Sequence, residues 1–237
     1  MEINNLALLA GGLATRLKPV TETIPKSMLD ITGLPFIQQQ INLLKKKGIK
    51  KIVICAGAMG DQIKNYTDAN PAEGIEIDYS FDGDKLLGTG GALKKALSKL
   101  DERFFVMYGD SYLDTDFNDI NKYFLDQNKK GLMTVFKNEW KWDSSNIEFE
   151  NGELVKYDKV NKNGNMRYID YGLGILNRNA FEDFGNKEVI DLEEVYKLLL
   201  KNNELAGFEV KERFYEIGSF AGLEETRKLL SKISDKK

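Results

Sequence analysis

The chain has 237 residues, 42% hydrophobic and 11% aromatic, with 34 Lys plus Arg against 37 Asp plus Glu and a net charge of −3. This size allows one large domain with a sizeable core; the charge balance gives no basic footprint for nucleic acid, and no apolar run reaches the ~20 residues of a membrane span. One cysteine excludes an intramolecular disulfide and a cysteine-based zinc site, the absence of histidine removes a common general base, and no secretory leader pattern precedes the first apolar run, so the reading is a soluble cytoplasmic protein.

The first half alternates β-type apolar runs with amphipathic helical patterns. NLALLA (5–10) predicts a strand that runs into Gly11-Gly12. FIQQQINLLKKKG (36–48) predicts a helix with Phe36, Ile37, Ile41, Leu43 and Leu44 as its apolar set and Gly48 just past its end. KIVICAG (51–57) reads as a strand in which Cys55 is a buried small hydrophobe. A short helix over 61–68 and the alternating strand IEIDYSF (75–81) follow. GGALKKALSKL (90–100) predicts a helix, RFFVMYGD (103–110) a strand ending in an acid, 116–129 a helix capped by Asp116, and GLMTVFK (131–137) another strand. Strands alternating with helices predict a mainly parallel sheet with helices on both faces.

The second half changes character. Two alternating runs within 146–159 meet at Glu150-Asn151-Gly152, and Asn-Gly is a strong hairpin signal. MRYIDYGLGILN (166–177) reads as a long strand, and 191–203 as a helix with a capping box of Asp191 and Glu194. Short strands are expected at 206–210 and 213–218, with Ser219 capping a final helix that begins at Phe220. Trp140 and Trp142 read as packing residues rather than as platforms for a sugar ring.

The stretch from Leu9 to Lys26, LAGGLATRLKPVTETIPK, carries the chemistry. A glycine-rich turn after a strand lets backbone N–H groups approach phosphate oxygens, and Arg16 and Lys26 add two cations near the same point. The plainer alternative is a βα turn with two stray cations. Neither a P-loop nor the dinucleotide fingerprint G-x-G-x-x-G is present. Ligands of open α/β sheets bind outside the carboxyl ends of strands, so the Gly11-Gly12 turn and Asp110 belong to one edge. Asp110 there is suited to Mg²⁺ on phosphates, or else it caps the loop before Asp116. Leu87 to Gly91 form a second glycine-rich loop that either reads a nucleobase through its backbone or gives a helix start the glycines it needs for close packing.

Taken together, Gly11, Gly12, Thr15, Arg16, Leu17, Pro19, Pro25 and Lys26 match G-G-x-x-T-R-L-x-P followed by P-K. With them the chain resembles the nucleotidyltransferases that join a nucleoside triphosphate to a sugar 1-phosphate. Its L-G-T-x-G-A-L loop looks most like guanylyl-transferring relatives, including those acting on heptose or mannose 1-phosphates. The resemblance implies an α/β, Rossmann-like (GT-A-like) fold with a mostly parallel mixed sheet and a small sugar-side β subregion. It also implies a single domain over 1–237, with a nucleotide-binding core at 1–137 and a sugar-binding side with closing helices at 138–237.

The implied reaction is attack of the sugar phosphate on the α-phosphorus with loss of pyrophosphate. A phosphate oxygen is already anionic, so no general base is required, in keeping with the lack of histidine. Arg16 and Lys26 become the catalytic cations. Leu9, Ala10, Gly11, Gly12, Thr15, Gly88, Thr89, Gly90 and Asp110 become the nucleotide side. Asn146, Asp158, Lys159, Asp170, Tyr171 and Gly172 become the acceptor side, Lys159 holding the sugar phosphate unless it is simply a solvated lysine. Mg²⁺ is expected on Asp110 and on Glu216; RFYEIGS follows the family's D-x-G-T element with Glu216 in place of Asp and Ser219 in place of Thr. GTP with heptose 1-phosphate is the favoured pair. The alternatives are a cytidylyl- or uridylyltransferase acting on another sugar phosphate or a non-sugar phosphate or phosphonate, and a non-catalytic nucleotide-sugar sensor. The partners are the two small-molecule substrates, with no nucleic acid and no membrane; the oligomeric state, a homo-oligomer included, is left open.

Overall fold

The computed structural model describes residues 2–12 and 15–234, with the side chains of Thr15 and Ser234 outside that description. The elements in chain order are β1 (Asn5–Leu9), β2 (Asp30–Ile31), β3 (Leu34–Pro35), α1 (Phe36–Lys46), β4 (Lys51–Ala56), α2 (Gly60–Ala69), β5 (Glu76–Phe81), α3 (Gly88–Ala96), β6 (Arg103–Tyr108), β7 (Ser111–Tyr112) and α4 (Phe117–Gln127). They continue with β8 (Gly131–Lys137), β9 (Ile147–Glu150), β10 (Glu153–Tyr157), β11 (Tyr168–Asn177), α5 (Leu192–Lys201), β12 (Leu205–Val210), β13 (Tyr215–Glu216) and α6 (Phe220–Ser234).

Among the described residues, nine strands form one mixed sheet in the order β10-β9-β11-β6-β1-β4-β5, with β8 pairing β11 and β12. β6, β1, β4 and β5 run parallel, and β11 returns antiparallel along β6. The central strands are apolar runs because both faces are covered. Successive residues point to opposite faces. Leu6, Leu8, Ile52, Ile54, Phe105 and Met107 join the core under α1, α2 and α4. Ala7, Val53, Cys55, Phe104 and Val106 join the core under α3 and α5. Each fully buried side chain of this size contributes about 1.5–3 kcal/mol. A smaller cluster of Leu17, Ile31, Phe36, Tyr112, Ile217 and Leu223 seats α6.

Local chemistry sets the boundaries. Asp116 accepts from the N–H groups of Asn118 and Asp119 at 2.8 and 3.3 Å and starts α4. Asp191 and Glu194 form the expected capping box of α5. Asn151 and Gly152 take φ of 52° and 86° in the β9–β10 turn, the left-handed pair that a two-residue hairpin loop needs. The predicted α/β architecture is therefore present, with ends moved by a few residues. The expected strand at 213–218 is only Tyr215–Glu216, and the predicted helix over 90–100 is α3 followed by a 3₁₀ turn at Leu97–Lys99. The two-residue ribbons β2–β3 and β7–β13, and the 3₁₀ turns at Thr15–Leu17, Val20–Glu22 and Lys26–Met28, were not expected. No helix among the described residues is long and apolar enough to cross a membrane.

Candidate active site

The site is built where β1, β4 and β6 end together. Ala10 N–H donates to Cys55 O at 2.8 Å, and Gly109 N–H donates to Leu9 O at 2.9 Å. A Cβ on Gly109 would lie 2.5 Å from Leu9 O, so only glycine lets the two strand ends touch there. These ends floor a cleft of about 400 Å³. Of the residues expected on the nucleotide side, Leu9, Ala10, Gly11, Gly12, Gly88, Thr89 and Asp110 line it, together with Lys26. Thr15 lies in the 3₁₀ turn that also carries Arg16, and its side chain is outside the described set. Gly90 stands outside the lining: its N–H donates to Ile190 O at 2.9 Å, and a Cβ would lie 2.8 Å from Ile190 Cγ2. Within the second glycine-rich loop, Gly90 and Gly91 give the close packing expected of a helix start, and Gly88 and Thr89 line the cleft. The Thr89 hydroxyl accepts from Leu192 N–H at 2.8 Å, which ties α3 to the start of α5.

A second cleft of about 350 Å³ holds Arg16, Asn146, Lys159, Asp170, Tyr171, Gly172 and Glu216. The two clefts share Tyr108 and Asp110. At that junction Lys26 Nζ pairs with Asp110 Oδ2 at 2.7 Å. Lys26 is presented by the 3₁₀ turn after Pro25, closed by Met28 N–H on Pro25 O at 2.8 Å. Asp110 is held from two sides. Buried Gln40 donates to Ser111 O at 2.8 Å and to Tyr108 O at 3.3 Å, and Ile217 N–H donates to Asp110 O at 2.9 Å.

That last bond brings Glu216 to Asp110. The place a Cβ on Gly218 would occupy is 2.7 Å from Glu216 Oε2, 3.2 Å from Arg16 Nη2 and 3.3 Å from Asp110 Oδ2. Two carboxylates and a guanidinium therefore converge on one glycine. Glu216 also anchors the start of α6, accepting from Gly218 N–H and, at 2.6 Å, from the Ser219 hydroxyl. Each carboxylate oxygen keeps a second lone pair. One or two carboxylates completed by phosphates and water is the usual protein share of a magnesium site, so this pair fits the ion. No cluster of three or more candidate ligands occurs among the described residues.

On the acceptor side, Asp170 is the hub. Its Oδ2 accepts from Tyr108 Oη at 2.8 Å and Tyr157 Oη at 3.2 Å, and its Oδ1 accepts from Gly172 N–H at 3.0 Å. The register of β11 against β8 shifts between Asp170 and Gly174, an irregularity of the kind that re-aims side chains beside active sites. Asn146 pins this stretch by accepting from Asp170 N–H at 3.0 Å. Lys159 Nζ donates to Tyr108 Oη at 3.4 Å and sits 5.4 Å from the centre of the Tyr108 ring. Burial first, then the Asp170 charge, pushes the Tyr108 and Tyr157 phenols up, so both stay neutral donors.

Asp158 takes another position, and Tyr171 borders the second cleft with its ring turned inward. Asp158 lines neither cleft; it accepts from Asn161 and Val160 N–H at 2.8 and 2.9 Å and shapes the turn after Lys159. Tyr171 points its ring into the core beside Phe136 and Phe214, with its hydroxyl unpartnered. Trp142 packs, as expected, on Phe136 and under the Arg213 guanidinium. Tyr108, Ser27, Asp82 and Leu86 also line the clefts and were not singled out from the sequence. Tyr108 was within reach, since it directly precedes Gly109-Asp110. Cys55 reaches the nucleotide cleft too, and burial pushes its thiol up to about 12, which leaves it an unreactive wall.

The sequence model of the nucleotidyl transferase family matches residues 7–208. D-glycero-alpha-D-manno-heptose 1-phosphate guanylyltransferase of Campylobacter jejuni is 30% identical over 212 residues, covering 89% of this chain and 93% of that protein. Mannose-1-phosphate guanyltransferase beta-B of Xenopus laevis is 25% identical over 217 residues, 89% of this chain and 60% of that longer protein. HddC from Yersinia pseudotuberculosis, solved in complex with GMP-PN, shares the fold at a TM-score of 0.80, with 24% identity over 96% of this chain and 100% of that one.

Proposed function

The chain belongs to the nucleotidyl transferase family, and from this premise we propose that it joins GTP to heptose 1-phosphate, releasing pyrophosphate and a GDP-sugar. The observation that carries the reading is the meeting of two clefts at one ion pair. A nucleotide lying over Gly11-Gly12 and an acceptor lying by Lys159 would bring their phosphates together at Lys26 and Asp110.

The acceptor phosphate oxygen attacks the α-phosphorus in line with the departing pyrophosphate, and no residue has to remove a proton. The work of the chain is positioning and charge neutralisation. Lys26 stabilises charge growing on the α-phosphate, Arg16 faces the leaving pyrophosphate, and Lys159 holds the acceptor phosphate. Asp110 and Glu216 would hold Mg²⁺, which when bound neutralises phosphate charge. Two features support the base and acceptor named. One is the 30% identity to a heptose 1-phosphate guanylyltransferase over nearly its whole length. The other, which bears on the base, is Asp82 on the nucleotide cleft, whose Oδ2 accepts from Leu87 N–H at 3.3 Å. Guanine offers N1–H and N2–H₂ side by side, two donors for one carboxylate, whereas uracil and thymine offer one N–H between two carbonyls.

The test is pyrophosphate release with Mg²⁺ from GTP, CTP, UTP, dTTP and ATP, each against a panel of sugar 1-phosphates. Release that requires GTP and heptose 1-phosphate together is the expected result. Release with another pair would replace the base or the acceptor. Binding of a nucleotide with no release from any pair would overturn the reaction in favour of a sensor.

A further inference from the structure

Besides Asp110, Tyr108 is the residue that lines both clefts. Its hydroxyl stands between two opposite charges: it donates to Asp170 Oδ2 at 2.8 Å and accepts from Lys159 Nζ at 3.4 Å. Among the described residues no carboxylate lies within the 4.0 Å of an ion pair with the Lys159 ammonium. Glu193, another acid nearby, uses its carboxylate on Lys159 N–H and on Lys197, the latter at 2.8 Å. Asp170 is satisfied by neutral donors alone: two tyrosine hydroxyls and the Gly172 N–H.

The backbone is shaped to keep this arrangement. Gly172 has φ of 89°, and a Cβ there would lie 2.9 Å from Tyr108 Cδ2. A side chain at 172 would therefore both strain the backbone and drive the Tyr108 ring from its place. With the ring moved or the hydroxyl removed, only Tyr157 is left beside both groups, its hydroxyl on Asp170 Oδ2 at 3.2 Å and its ring 5.8 Å from Lys159 Nζ, and it makes no hydrogen bond to that ammonium. Opposite charges that close attract strongly in a partly desolvated cleft, and a lysine neutralised by its own protein binds an anion poorly.

We infer that Tyr108 is a positioning residue that holds the Asp170 carboxylate and the Lys159 ammonium apart, so that the charge of Lys159 remains available to the acceptor phosphate. The inference rests on the proposed role of Lys159 in the acceptor cleft. It adds a reason why a carboxylate can sit so near a phosphate site: the carboxylate is insulated by phenols.

The test uses the full chain and reads Lys159 directly. The rate of Lys159 acylation by an amine-selective reagent, followed by peptide mass spectrometry at fixed pH without substrates, is compared in wild type, Tyr108→Phe, Asp170→Asn and the double variant. Tyr108→Phe should slow Lys159 acylation about tenfold, because a carboxylate that closes on an ammonium favours its charged form. Asp170→Asn alone should leave the rate near wild type, and the double variant should recover it. In turnover assays Tyr108→Phe should raise KM for the sugar 1-phosphate about tenfold while kcat falls far less, the pattern of lost ground-state binding. A residue that merely fills space gives no such rescue of acylation. Unchanged acylation in Tyr108→Phe, or a faster rate in Asp170→Asn alone, would overturn the inference. Slowed and rescued acylation in a protein with no turnover on any substrate pair would uphold the spacing role and overturn the acceptor reading instead.

Discussion

At the scale of single residues, the Lys26–Asp110 pair has two consequences that point in different directions. The side chains are 17% and 28% exposed, so water in the open clefts screens the pair only in part and its loss costs stability about 1–2 kcal/mol. Charge aimed at a developing transition state is worth more, and removing one such donor lowers turnover roughly 10²–10³-fold. Lys26→Ala should therefore lose turnover on that scale while its melting temperature moves by a few degrees at most, read by pyrophosphate release and a thermal melt on the same sample. Near wild-type turnover would remove Lys26 from the catalytic set. Asp158 makes the opposite case, structure without cleft contact. The backbone N–H of Asn161, then that of Val160, holds its carboxyl well below the usual carboxylate range. A depressed folded value means that the stabilisation is complete above the unfolded value, about 3.9, and fades as pH falls below it towards the folded value. Amide exchange at Val160 and Asn161 should thus be protected at neutral pH, lose protection in acid below that point, and lack it at neutral pH in Asp158→Ala. Protection in Asp158→Ala equal to wild type would mean that the turn forms without the carboxylate.

At the scale of elements, legibility followed length. β1, β4 and β6 were readable because four or five consecutive apolar residues have few other uses, and α4 and α5 because Asp116 and Asp191 announce their starts. The strand at 213–218 was readable in outline as β13, but its pairing with β7 was not, since two residues carry no period, yet that ribbon carries Glu216 to Asp110. The resemblance pointed to Glu216, which the fold brings near Asp110; its anchoring of α6 had no signal in one dimension. A Cβ on Gly222 would overlap Glu216 Oε1 and approach Glu216 O to 2.7 Å. Gly222→Ala should therefore push Glu216 off the start of α6, lowering the melting temperature and raising the Mg²⁺ concentration needed for half-maximal turnover. A lowered melting temperature with an unchanged Mg²⁺ requirement would assign Glu216 to the helix start alone. Tyr108 shows the same limit from another side. Its sequence neighbours mark the strand end, but its bonds to Asp170 and Lys159 span 62 and 51 positions, which no local pattern encodes.

At the scale of the whole molecule, the two clefts are built on one sheet. β11, from the second half of the chain, lies between β6 and the β8 and β9 strands, and Leu173 and Ile175 of β11 pack in the same core as Leu6 and Ile52. Residues on the acceptor side cannot lose their fold without uncovering β6. A ligand that binds only the folded chain adds about 2.7 kcal/mol at 100 times its Kd, worth roughly 5–10 °C in a chain of this size. GTP with Mg²⁺ at that excess should raise the melting temperature by this amount. Two probes separate a shared fold from two independent ones. Far-ultraviolet circular dichroism reports all helices and strands, whereas tryptophan fluorescence reports only the second half, where Trp142 packs against Phe136 of β8. Because β11 couples the halves, both signals should melt together and shift together with GTP, although the nucleotide cleft holds neither tryptophan. A tryptophan transition that stays in place while the dichroism transition moves would mean that residues 138–237 unfold as a separate unit. The meeting of the two clefts at Asp110 would then be an adjustable interface between moving parts and not a junction within one rigid sheet.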